Sequence, residues 1–131
     1  MEEMRQFLPL KVTAAGTDPD GIVLSGDRWR LRVNTNWRIS QAGKLILSSS
    51  TAGDLSAGYK LEDIVGDEII EFGVQAREVG FDLSVRTLRG WVLEIFSDFS
   101  YGEWIFSAWQ PGDRRQTPIF DLEGPVVDGL Y

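Results

Sequence analysis

The chain contains no cysteine and no histidine, and these two absences exclude more chemistry than any motif present suggests. Without cysteine there is no disulfide scaffold, thiolate metal site or thiol nucleophile. Without histidine the usual zinc, copper and haem ligand sets are missing, as is the commonest general base near neutral pH. Apolar runs are short, and none approaches the roughly 20 residues that would span a bilayer. The opening MEEMRQFLPL puts acidic side chains where a secretory signal carries positive ones, so a cytoplasmic location is expected. No glycine-rich phosphate loop, nucleophile elbow or dinucleotide fingerprint occurs. The expectation is therefore a non-enzymatic chain with no cofactor and no metal.

What is present is an ordinary globular composition, with 43% hydrophobic and 25% charged residues among 131, which suits one domain spanning 1–131. The net charge of −7 is unevenly placed. Residues 1–58 hold seven basic and six acidic side chains, whereas 59–131 hold six basic and fourteen acidic ones. A field of that sign repels nucleic acid and anionic membranes and attracts basic proteins or cationic ligands. The partners to consider are a basic protein and a second copy of the chain. The alternative is that the acidity only confers solubility.

Residues 81–109 organise the pattern. Phe81, Leu83 and Val85 alternate with Asp82, Ser84 and Arg86, the period of two that a half-buried strand requires. The alternation resumes at Trp91, Leu93 and Ile95, and again at Trp104, Phe106 and Ala108. Earlier in the chain, one strand is expected from Leu8 to about Ala15, a short one at Ile22 to Leu24, and another from Trp29 to Thr35. Arg28, Arg30, Arg32 and Arg38 are expected on one outward face. Strands at Trp37 to Ile39 and Lys44 to Ser49 follow, then a loop over 48–58. Leu61, Ile64 and Val65 fit a single helical turn stopped by Gly66, and Ile70, Phe72, Val74 and Ala76 alternate along a strand from Glu68 to Glu78. An edge strand over Thr117 to Leu122 and an apolar tail complete the reading. The fold class expected is all-β, an antiparallel sandwich or flattened barrel, with one or two short helical turns.

The two halves also answer each other, approximately 8–50 against 61–122. Leu24 answers Val85, Trp29 answers Trp91, and Trp37 answers Trp104, with an insertion in the second half within Phe96 to Glu103. This duplicated spacing, with Leu61-x-x-Ile64 ahead of a strand and a Gly90-Trp91 hairpin followed by the Trp104 strand, resembles small uncharacterised bacterial β-rich proteins. Some of those are immunity proteins that neutralise toxins. The resemblance implies a binding role, protein to protein, and carries over no functional residues.

Two groups of residues are candidates for binding. In the insertion, Phe99, Tyr101 and Trp109 would accompany Asp98 and Glu103, offering a stacking surface with acceptors for a sugar or a cation. Two carboxylates could also act as acid and base, if their separation and burial allowed. The second group, Glu62, Asp63, Asp67 and Glu68, is the densest acidic stretch, suited to a basic partner or to plain solvation. It lacks the spacing of a calcium loop. The leading reading is a protein-binding domain, with a small-ligand or carbohydrate-binding domain as the alternative.

Overall fold

The computed structural model describes residues 2–49, 60–77, 80–99, 102–110 and 117–126. Strand accounts for 59% of these residues and helix for 9%, in two antiparallel sheets packed as a sandwich. A four-residue helix, α1 (Glu2–Arg5), opens the chain, and one 3-10 turn spans Leu61–Ile64. The first half supplies β1 (Leu10–Lys11), β2 (Ala14–Asp18), β3 (Gly21–Ser25), β4 (Trp29–Val33), β5 (Asn36–Gln41) and β6 (Lys44–Ser48). The second supplies β7 (Glu68–Arg77), β8 (Gly80–Thr87), β9 (Trp91–Phe96), β10 (Trp104–Ala108) and β11 (Phe120–Gly124).

Strand order is β1-β7-β8-β9-β5-β6 in one sheet and β11-β10-β4-β3-β2 in the other. Each half therefore keeps three strands together and sends its last two to the opposite sheet. The registers correspond: Val33 faces Trp104 and Leu31 faces Phe106 across β4 and β10, while Ile95 faces Trp37 and Leu93 faces Ile39 across β9 and β5. The apolar faces meet in one core, where Phe72 of the first sheet lies edge-on to Phe106 of the second, ring centroids 5.6 Å apart. Trp29, Phe7 and Phe120 also pack on Phe106. Truncating a buried aromatic at such a junction costs about 3–5 kcal/mol.

Several local expectations need correction. The single strand over Leu8 to Ala15 is two: β1 pairs with β7 and β2 with β3, in different sheets. Arg38 does not share a face with Arg30 and Arg32, because β5 has crossed over. Its guanidinium donates to Glu94 at 2.8 Å and lies over Phe96, whereas Arg30 lies over Trp109. The alternation in β7 is broken by a bulge between Ile69 and Glu71, which buries Ile69 and turns Ile70 outward. Val74, expected in the core, is 44% exposed. Its neighbour β1 reaches only Glu68 and Ile69, and beyond it the Arg5 guanidinium, in place of a strand, donates to the Phe72 carbonyl. Asp82, expected on the wet face, is buried. The β8–β9 ladder stops at Ser84 and Glu94, and the Gln75 amide fills the gap by donating to the Leu83 and Ile95 carbonyls.

Candidate functional site

The two crossovers between sheets, Asn34 and Thr35 after β4 and, after β9, a loop described at 97–99 and 102–103, lie side by side at one end of the sandwich. Polar residues are needed here, because a chain leaving its sheet gives up ladder partners for its backbone groups. The Asn34 N–H donates to the Glu103 carbonyl at 2.9 Å, and the Glu103 N–H donates to the Gly124 carbonyl at 2.8 Å. The Thr35 hydroxyl donates to the Phe96 carbonyl at 3.2 Å. Below them, the Asp82 carboxylate accepts from the Ser97 N–H at 2.8 Å, from the Ser97 hydroxyl and from the Trp104 indole N–H.

Glu103 is 9% exposed, and its Oε1 accepts from the Asp98 N–H at 3.2 Å. Burial is the largest influence on its carboxyl and raises its pKa above the ordinary glutamate value, and a hydrogen bond with the Asp98 carboxyl adds to this rise. The two acids are thus in contact.

Beside the pair lies a cleft of about 690 Å³, within the range of small-molecule sites. Asp98 and the Asn34 to Trp37 segment form one wall, and the β2–β3 turn with Asp20 forms another. Leu47, Ser48, Ser49, Lys60, Leu61 and Glu62 complete the lining. Ser49 secures the aromatic wall, since its hydroxyl accepts from the Trp37 N–H and donates to the Trp37 carbonyl. Asn34 Oδ1 is buried and has no hydrogen-bond partner among the described residues.

Of the residues singled out from the sequence, Asp98 and Glu103 come together, and Asp98 and Glu62 both line the cleft. Phe99 is 54% exposed, and Tyr101 lies outside the described residues. Trp109 does not join this group: it follows the far end of β10, where its N–H donates to the Arg28 carbonyl and its buried ring lies under Arg30. The acidic stretch is not one surface patch either. Asp63 accepts from the Lys60 N–H and starts its own turn. Asp67 is buried and accepts from the Glu68 and Arg89 backbone N–H groups, and Glu68 stands opposite Lys11 across β7 and β1. The sequence reading missed Asn34, Trp37 and Lys60; the polar run Asn34-Thr35-Asn36 between two strands was the available signal. Among the described residues no group of three or more acidic side chains is placed to hold a metal ion, and no helix is long and apolar enough to cross a membrane. Compared with family models, curated proteins and solved structures, the chain matches none.

Proposed function

We propose that the chain is a non-enzymatic binding domain whose ligand is small and polar, seated in the cleft beside the crossovers. The cleft itself carries this reading: its volume suits a small molecule, and Asp20, Thr35, Asn36, Lys60, Glu62 and Asp98 set polar groups around it, such as fix a ligand's orientation. The test is thermal denaturation of the full chain against a panel of sugars, amines and amino acids, repeated with Asn36→Trp. Asn36 is an exposed position on the wall, and a bulky side chain there fills the space. A ligand that raises the melting temperature of the parent and not of Asn36→Trp supports the reading. A panel without effect, or effects that survive the plug, overturns it.

Recognition of a basic protein is the second reading, favoured by Glu62 and Asp63, adjacent and both exposed. The correspondence of strand orders and registers supports a further element of the proposal, descent from a duplicated half of about 60 residues. On that view the insertion of 97–103 is where the copies differ, and it supplies Asp98, which only one copy brings to the site.

A further inference from the structure

Charge and hydrogen-bonding capacity narrow what the cleft would hold, on the reading just proposed. The described lining contains the carboxylates of Asp20, Glu62 and Asp98 against the single ammonium of Lys60. Asp20 has an interaction of its own. Neither Glu62 nor Asp98 forms an ion pair among the described residues, although Asp98 also neighbours the Glu103 carboxyl, so neither charge is neutralised by a basic group there. A ligand rich in donors satisfies such a surface, and an anion would meet repulsion. The absence of a three-acid cluster among the described residues directs the reading away from a divalent metal, which takes several oxygen ligands at once.

We infer that the cleft binds an organic ammonium group, held by the carboxylates of Asp98 and Glu62. The same chemistry is offered by a free amine and by a lysine side chain on a partner, so the test includes both. The full chain is titrated at low salt, by calorimetry and tryptophan fluorescence, with spermidine, glucosamine and the tripeptide Gly-Lys-Gly. N-acetylglucosamine, which has the shape of glucosamine without its charge, and glucuronate serve as controls. The amines are expected to bind, and the controls to bind at least about tenfold more weakly. Asp98→Asn and Glu62→Gln should each reduce affinity about fivefold, a change of about 1 kcal/mol, with melting temperatures recorded to show that both variants remain folded.

Tighter binding of Gly-Lys-Gly than of the free amines supports the inference and names a protein side chain as the source. Tighter binding of spermidine or glucosamine supports it and names a metabolite. Equal binding of glucosamine and N-acetylglucosamine, or full affinity in both acidic variants, overturns it. If an uncharged ligand binds and is lost in Asn36→Trp, the cleft reading stands while the ammonium inference fails. If the amines bind equally well to Asn36→Trp, both fail.

Discussion

The Trp104 indole N–H donates to the carboxylate of Asp82 at 3.3 Å, a polar tie between the two sheets made where both side chains are almost fully buried. The same carboxylate takes the Ser97 N–H and hydroxyl, so it serves donors that have no access to water. Asp82→Ala should therefore destabilise by about 3–5 kcal/mol, because donors left unpaired in the core bear their full desolvation cost. Denaturant unfolding measures this. Asp121→Ala, which removes an exposed partner of the Ser107 hydroxyl, should change stability by less than about 1 kcal/mol. Equal effects would show that the tie across the sheets is not what matters.

Gly124 faces Trp104 across β11 and β10, and the indole lies where a side chain would begin. A Cβ added at Gly124 would meet indole atoms at about 2 Å, closer than packed atoms approach. Gly124→Ala is expected to cost about 1–3 kcal/mol through overpacking. In a double-mutant cycle with Trp104→Phe, which removes the atoms that clash, the costs should be less than additive. Additive costs would place the effect elsewhere.

Glu103 allows a prediction of the sign of a pH effect. Its folded pKa is raised, so between the ordinary glutamate value and the raised one the folded chain binds more protons than the unfolded chain. Stability from this group is therefore fully present at low pH and falls as pH rises through that window. The groups around it are Asp98 on its own loop, Thr35 on the other crossover, Asp82 below Ser97 and Glu123, which approaches Gly102. None of them is basic. Glu103→Gln keeps an acceptor for the Asp98 N–H and has no charge to bury, so it should equal or exceed the parent in melting temperature at pH 7. Its advantage should shrink as the pH is lowered. An advantage that grows on acidification would show that the ionised form is the one the fold prefers.

Val126 ties the end of the described chain to the first sheet. Its backbone exchanges two hydrogen bonds with Phe81, at 2.6 and 2.8 Å, and its side chain is buried. Deleting residues 125–131 should lower the melting temperature by several degrees, in line with the loss of about 1.5–3 kcal/mol for one buried valine. Light scattering should show an unchanged mass. A dimer that falls to monomer would show instead that the tail joins two copies.

The elements themselves were legible in the sequence wherever a period of two ran without interruption. Trp29-Arg30-Leu31-Arg32-Val33 alternates along its whole length, and Trp91, Leu93 and Ile95 keep the same period around Val92 and Glu94; both runs are strands with Trp29, Leu31, Val33, Trp91, Leu93 and Ile95 buried. The single turn at Leu61–Ile64 was legible as well, since Gly66, at φ +94°, bars its continuation for an ordinary residue. In β7 the pattern misled. Ile70 and Phe72 share a parity in sequence, yet an extra residue in one strand reverses the face on which later side chains stand, and no local feature announced the bulge. The candidate site was half legible. Asp98 and Glu103 belong to one loop, and proximity in sequence brought them together; Asn34 comes beside them on the other crossover, and Glu62 reaches the cleft from the 3-10 turn ahead of β7.

The sequence by itself determined the fold class, the inward face of the strands with regular alternation, and the chemistry excluded by the missing cysteine and histidine. These depend on the side chain and its immediate neighbours, through backbone sterics, turn chemistry and the burial of apolar surface. The tertiary structure alone decided that β5 and β6 leave the first half's sheet while β10 and β11 leave the second's. Either pairing would bury the same apolar faces, and alternation does not say which strand lies beside which. It also decided that Asp67 and Asp82 point inward, because a buried carboxylate is tolerated only where backbone and indole N–H groups converge on it, and those donors come from residues 15 to 22 positions away.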